Sequence, residues 1–416
     1  MKEVNQERVN RLIEGIASFG KSEKGITRLA YSKEDFAAQK WLLEQIADLK
    51  LTVTQDAIGN TFLRREGKNS ALTPVAMGSH LDTVAQGGAY DGVLGVVGAL
   101  EVLYMLENEE LEHPIEVIIF RAEESTRFGF ATIGSKIMAG VGSPKKFSSA
   151  AKKNEATFEE CLKENGYDPD EYAKAVKHEG CFKCFLELHI EQGKVLDETG
   201  EQIGIVKNIA APTRFKIIVE GIADHSGATP MGFRRDALVA AAKLILAVQE
   251  AAAEESENGT VGTVGIVETE PGSINVIPGK VTLWVDLRGV DNESIQNAME
   301  SINESVSIVA EEDSVRITVD MLTSDDPVPL SEELAEMFEE ICQEKDFTYR
   351  VMNSGAGHDA MHMAKLVPTS MIFIPCREGI SHNPAEYATL QDISAGIEVL
   401  AAAVKRLAKS GNDDYF

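Results

Sequence analysis

Pro74-Val-Ala-Met-Gly78-Ser-His80-Leu-Asp82 begins as a short apolar run, closes on glycine and turns polar. Gly87-Gly-Ala-Tyr-Asp91-Gly92 then leads into an apolar stretch, Gly92 to Glu107, that reads as a buried helix. A second apolar run, Pro114-Ile-Glu-Val-Ile-Ile-Phe120, ends just before Glu123-Glu124. Strand, helix, strand at this spacing is a parallel crossover unit, so the expected sheet is α/β. In such a sheet ligands bind beyond the carboxyl ends of the strands. His80, Asp91, Glu123 and Glu124 lie after strand ends or in the loop that follows, and are expected to converge in one crevice.

Further out, residues 1–50 read as helices. Ser32-x-x-Asp35 resembles a capping box, with Phe36, Trp41, Leu42, Ile46 and Leu49 at helical spacing. Leu51-Thr-Val-Thr and Asn60-Thr-Phe-Leu alternate as strands. A second region begins near Pro212 and runs strand (214–221), helix (236–255), two strands (260–270 and 280–288), helix (292–311) and strand (314–322). That order, β-α-β-β-α-β, is the split pattern of a ferredoxin-like sandwich. Its ends lie close together in such a fold. Residues 212–323 are therefore expected as a domain inserted into a first domain made of 1–211 and 324–416. A helix over 331–344 and strands near Tyr349 and over 368–374 return to the α/β pattern.

The 416 residues carry 40 Lys+Arg against 67 Asp+Glu, a net charge of −27. So acidic a chain argues against nucleic acid or an anionic membrane as partner. Its longest apolar stretches, such as Val93 to Leu100, fall short of the roughly 18 residues a spanning helix needs. The opening Met1-Lys2-Glu3-Val4 shows no apolar segment behind a basic one, so no signal peptide is expected. Five cysteines in a chain this long argue against a disulfide framework, and the expected residence is cytoplasmic.

Two more histidines share this strand-end setting. His189 sits in Leu186-Glu-Leu-His189-Ile-Glu-Gln192-Gly193, and His382 in Gly379-Ile-Ser-His382-Asn-Pro384, past the strand ending at Ile374. Imidazoles and carboxylates are donors that zinc, manganese and cobalt accept. A carboxylate between two such ions can bridge them, and the pair lowers the pKa of water and polarises a scissile carbonyl. The adjacent acids Glu123 and Glu124 allow a division of labour: one ligates, while the other takes the water proton and hands it to a leaving nitrogen. Taken singly, each piece also reads as an ordinary surface or core polar group. Taken together they point to a metal site, with the number of ions open.

The blocks Gly78-Ser-His80-Leu-Asp82-Thr-Val84, Gly88-Ala-Tyr-Asp91-Gly92, Glu123-Glu124-Ser-Thr-Arg-Phe128, Leu188-His189-Ile-Glu-Gln192-Gly193 and Ser381-His382-Asn-Pro384 resemble the dinuclear zinc M20 metallopeptidase superfamily. More narrowly, they resemble its hydantoinase/carbamoylase branch of N-carbamoyl-L-amino acid hydrolases, allantoate amidohydrolases and β-ureidopropionases. Peptidase members usually have a carboxylate where this chain has His189. The resemblance implies a zinc-exopeptidase-like catalytic domain with a central mixed sheet, plus an inserted ferredoxin-like α+β lid and dimerisation domain. It implies two divalent metal ions per subunit, zinc first, with manganese, cobalt or nickel compatible. His80 and His189 would ligate one ion, Glu124 and His382 the other, and Asp91 would bridge them. Glu123 would be the general base, and the Asp82 carboxylate would orient the His80 ring.

For substrate, the resemblance implies a small molecule bearing a carboxylate. Gln192 would face its ureido or amide group, while Arg288 and Asn275 would hold its carboxylate, Arg288 through its planar fork. His225 would reach into the partner subunit's site and stabilise the oxyanion. A homodimer through the lid is therefore expected. The implied activity is hydrolysis of a linear C–N amide bond, foremost in an N-carbamoyl-L-amino acid. Allantoate, N-acyl-amino acids or peptides are sister substrates, and a catalytically silent ligand-binding homologue is the non-enzyme alternative. Ser125-Thr126 stands where many relatives have an acid and a glycine. Cys181-x-x-Cys184 reads as two buried thiols, and His358-Asp359 as a pocket-shaping pair without a ligand role. His113, His178 and His362 read as structural or solvent-exposed.

Overall fold

The computed structural model describes residues 1–149 and 156–409. The chain divides into two compact units: Met1–Lys207 together with the chain from Pro329 onward, and Asn208–Val328. The strands of the first unit's sheet are β1 (Thr52–Gln55), β2 (Thr61–Arg65), β3 (Val75–His80), β4 (Ile115–Phe120), β5 (Cys184–Ile190), β6 (Ile203–Ile209), β7 (Tyr349–Ser354) and β8 (Thr369–Ile374). The two-residue edge strand Val328–Pro329 completes a nine-stranded sheet. Its order runs from that edge through β6, β8, β5, β3, β4 and β2 to β1, with β7 also beside β6.

The four central strands, β8, β5, β3 and β4, are parallel. The flanking pairs are antiparallel, so the sheet is mixed. Every residue of β3, β5 and β8 is buried, as continuous apolar runs in a doubly covered sheet require. The helix α3 follows α1 (Gln6–Ala17) and α2 (Lys33–Gln45) and spans Val93–Met105, with all of its residues buried. It packs on β3, β4 and β5 and is itself covered by α1 and by the C-terminal helix Leu390–Lys409. A helix apolar all round is what such a two-sided burial demands.

The expected capping box at α2 is only half formed. Ser32 Oγ accepts the Asp35 N–H at 3.2 Å. The Asp35 carboxylate does not return to Ser32; it accepts the Tyr31 N–H at 2.8 Å and pairs with Arg121 Nη1 at 2.8 Å. The Tyr31 N–H and a buried guanidinium share that carboxylate in place of the Ser32 N–H.

The second unit holds the strands Ala211–Glu220, Val261–Glu270, Lys280–Gly289 and Arg316–Ser324 and the helices Ala237–Glu254 and Asn292–Glu312. The strands form an antiparallel sheet ordered second, third, first, fourth. Along Ala211–Glu220, Phe215, Ile217 and Val219 alternate inward against Ala240, Ala241 and Leu244 of the first helix. The β-α-β-β-α-β order read from the sequence is the one observed. Among the described residues, no helix is long and apolar enough to cross a membrane. All five cysteines are free; Cys184 is buried as expected, whereas Cys181 is half-buried.

Candidate metal centre

The parallel strands place the site. His80 is the last residue of β3 and pairs in register with Phe120 at the end of β4, while His189 near the end of β5 pairs with Phe373 of β8. The carboxyl ends of these strands therefore lie level. Glu123 and Glu124 follow β4, His382 follows β8, and Asp91 precedes α3. His80, Asp91, Glu123, Glu124 and His189 are all buried, whereas half of the His382 side chain is exposed.

Asp91 stands at the centre. Its Oδ1 is 3.2 Å from His189 Nε2 and 3.6 Å from His80 Nε2. Its Oδ2 is 2.9 Å from His382 Nε2, which is also 3.4 Å from Glu124 Oε1. Two donor groups result, His80–Asp91–His189 and Asp91–Glu124–His382, each with its atoms within 4.8 Å of one another. They share Asp91, which offers one oxygen to each. Glu123 Oε2 lies 3.6 Å from His80 Nε2.

The ring orientations follow from the backbone. His80 Nδ1 is 2.9 Å from the Asp82 main-chain oxygen, and His189 Nδ1 is 2.9 Å from the Ile190 oxygen. A carbonyl only accepts, so each Nδ1 carries a hydrogen and each Nε2 turns toward Asp91. Asp82 thus orients the His80 ring through its main-chain oxygen, its carboxylate being 3.7 Å away. This departs from the carboxylate contact that the resemblance implies. The carboxylate instead accepts the N–H groups of Glu123 at 3.3 Å and Glu124 at 3.0 Å, so it fixes the acid pair. Gly92 makes room for the rings: a Cβ there would lie 2.4 Å from His80 Nε2, and its φ is +67°.

Electrostatics favour cations here. Burial pushes Glu123 well above the usual carboxylate range, with Glu124, Asp359 and Asp82 adding to the effect against the pull of His80. Burial and Asp91 push Glu124 up to about 7. Burial would also raise Asp91, but hydrogen bonds from His189, His382 and His80 outweigh it and hold this carboxyl well below its ordinary range. The Asp91 hydrogen bond raises His382 to about 9. Without a cation, protons bound to the rings and carboxyls must balance the crowded acids. Imidazole and carboxylate donors, two rings with Nε2 facing a shared carboxylate, and this excess of negative charge all fit divalent ions.

Gln192, at φ +60°, donates from Nε2 to Asp91 Oδ2 at 2.9 Å. His358 is buried and packs edge-on against His189, with ring centroids 4.7 Å apart. Glu187, His189 and His358 form a third cluster of donors. Two of its members are already engaged, Glu187 by Ser79 Oγ and the Ala360 N–H, and His358 Nε2 by Ser354 Oγ. His113 and His362 are buried, while His178 is exposed. Sequence reasoning missed the buried acids Glu187, within β5 two residues before His189, and Glu386, four residues after His382, because a lone Glu in so acidic a chain carries no signal of its own.

Three expected residues belong to the second unit. His225 is exposed in the short strand Asp224–His225, which pairs with Val276–Ile277. Its Nδ1 accepts the N–H groups of Gly227 at 3.0 Å and Ala228 at 3.2 Å, so the hydrogen sits on Nε2. The main-chain oxygen of Asn275 accepts the Ser226 N–H and ties that loop down. Arg288 pairs with Asp286, Nη2 to Oδ2 at 3.1 Å. That neighbour lies two residues away on the same face of the strand.

Parallel strand ends carrying two donor groups around one carboxylate make a scaffold suited to divalent metal ions. The sequence pattern of peptidase family M20/M25/M40 matches residues 76–406, and the chain belongs to that family. It is 39% identical over 402 residues to an N-carbamoyl-L-amino acid amidohydrolase of Geobacillus stearothermophilus, covering 96% of this chain and 97% of the relative. It is 38% identical over 411 residues to a ureidoglycolate hydrolase of Oryza sativa subsp. japonica, covering 97% and 85%. Among solved structures, a hydantoinase/carbamoylase family amidase from Burkholderia multivorans superposes with a TM-score of 0.90 at 34% identity, covering 99% of each chain.

Proposed function

We propose that the chain is a metal-dependent amidohydrolase that converts an N-carbamoyl-L-amino acid and water into the amino acid, carbon dioxide and ammonia. The observation that carries this reading is the shared carboxylate Asp91 between His80–His189 and Glu124–His382. Two divalent ions, zinc first with manganese, cobalt or nickel compatible, would be held there and supply the Lewis acidity that lowers the pKa of water and polarises a carbonyl. Glu123 takes the proton of the attacking water and delivers it to the leaving nitrogen, a role suited to a carboxyl whose proton affinity burial has raised. Gln192 presents its amide to the ureido group. Arg288 and Asn275 hold the substrate carboxylate, and the Nε2–H of His225, across a homodimer, donates to the oxyanion. Exposed Met231, Phe233 and Ile274 near His225 and Asn275 in sequence support the lid as the dimer surface. Five free cysteines support a cytoplasmic location.

The 38% identity to a ureidoglycolate hydrolase supports a second reading, with a substrate that also joins a ureido group to a carboxylate. Product release, measured with zinc- or manganese-loaded protein as ammonia from N-carbamoyl-L-amino acids, ureidoglycolate and allantoate and as free amino acid from N-acetyl-amino acids, separates the two. The highest kcat/KM is expected on an N-carbamoyl-L-amino acid; turnover of none of these would overturn the proposal.

A further inference from the structure

We infer that Glu386, anchored by Ser381, is a positioning residue that sets the shared carboxylate Asp91 between the two ions. The inference rests on the ion pair proposed above. Glu386 is 5% exposed, and its two oxygens are divided between two loops. Oε1 accepts the N–H groups of Tyr90 at 2.8 Å and Asp91 at 3.1 Å, while Oε2 accepts the Ser381 hydroxyl at 2.9 Å. One side chain therefore ties the loop that carries Asp91 to the loop that carries His382.

Each loop needs such a tie. His382 sits at φ +54°, a left-handed conformation that an L-residue holds only when its surroundings enforce it. The Glu386 N–H closes the His382 loop by donating to the Asn383 oxygen at 3.0 Å. On the other side, Gly88 leaves the space: a Cβ there would meet Glu386 Oε1 at 2.3 Å. The acceptor pattern makes a specific demand. Both main-chain donors use Oε1, so glutamine in this place retains both bonds and can still meet the Ser381 hydroxyl with its amide. Methionine keeps the length and loses both carboxylate oxygens, leaving only a weakly accepting sulfur. Holding Asp91 in register matters most for the Asp91–Glu124–His382 ion, because two of the three segments that carry its ligands meet at Glu386. Groups that orient metal ligands are typically worth about 10- to 100-fold in metal affinity.

The test is cobalt(II) binding to chelator-treated full-length protein, followed by calorimetry, visible absorbance and metal content. Wild type is expected to bind two cobalt ions per chain. A wild type that binds one or none contradicts the proposed function and takes this inference down with it. With wild type binding two, Glu386→Gln should hold both within about threefold, whereas Glu386→Met should weaken the Asp91–Glu124–His382 ion about 10- to 100-fold and the other ion less. Equal affinities in wild type and Glu386→Met would overturn the inference. So would loss in Glu386→Gln as large as in Glu386→Met, or equal loss of both ions. Should Glu386→Met fail to fold by circular dichroism, Ser381→Ala, which removes the anchor on Oε2, carries the test: a weakened ion supports the inference and unchanged binding overturns it.

Discussion

Replacing Gly92 by alanine should dislodge His80 and cost the chain the ion proposed for His80, His189 and Asp91. The new Cβ would lie 2.4 Å from both Cε1 and Nε2 of the His80 ring and 2.5 Å from Cδ2. Non-bonded carbons need about 3.5–4.0 Å, so the ring must retreat by roughly 1 Å. Metal–ligand distances tolerate only about ±0.2 Å, so the displaced Nε2 leaves the coordination sphere. Separately, φ +67° with ψ −45° is close to a strained γ-turn conformation, which costs an L-residue roughly 1–3 kcal/mol, a melting-point loss of several degrees. Gly166 offers a positive φ without the clash: its φ is +84°, and nothing lies within 4 Å of where its Cβ would sit. Gly166→Ala should therefore lower the melting temperature by a few degrees with full metal content. Gly92→Ala should lower it as well and bind one zinc fewer after dialysis. Two zinc ions of undiminished affinity in Gly92→Ala would refute the steric reasoning.

Other perturbations reach the chemistry, the protons and the scaffold in turn. Glu123→Gln should cut kcat about 10²- to 10⁴-fold while metal content stays at the wild-type level; unchanged turnover with full metal would remove Glu123 from the reaction. In the ion-free chain Asp91 holds a proton on His382 up to about pH 9, and a cation must displace it. Apparent affinity at that position should thus rise about tenfold per pH unit toward 9 and level off above. Calorimetry at pH 7, 8 and 9 checks this, and a flat profile would contradict it. Arg121→Met leaves Asp35 buried and unpaired, where the pair is now 2.8 Å apart with both side chains 2% exposed. Breaking such a pair costs about 3–5 kcal/mol, readable as a shift in urea midpoint; a loss below about 1 kcal/mol would mean that water or another donor takes over.

Regular elements with a strong period were legible. Val75–Met77 and Ile115–Phe120 read as strands because parallel strands bury both faces, and Val93–Met105 read as helix because its apolar run is too long for a strand. The second unit was legible because its six elements come in fold order, each bounded by turn residues such as Pro271-Gly272 and Pro278-Gly279. The donors were legible through one regularity, a His or acid placed just past an apolar strand. What stayed hidden were contacts between residues far apart in the chain. Asp82 sits two residues from His80, yet its carboxylate serves Glu123 and Glu124 more than forty positions on. Asp35 reads as half of a local cap until the fold brings Arg121 to it. Glu386 clamps a loop 295 positions earlier, and no spacing announces that.

The most direct measurement is anomalous diffraction from crystals of the full chain soaked in zinc. The expected result is two peaks in each subunit. One should lie about 2.0–2.2 Å from His80 Nε2, His189 Nε2 and Asp91 Oδ1, the other at similar distances from His382 Nε2, Glu124 and Asp91 Oδ2. A single peak away from Asp91, or none, would contradict the dinuclear centre.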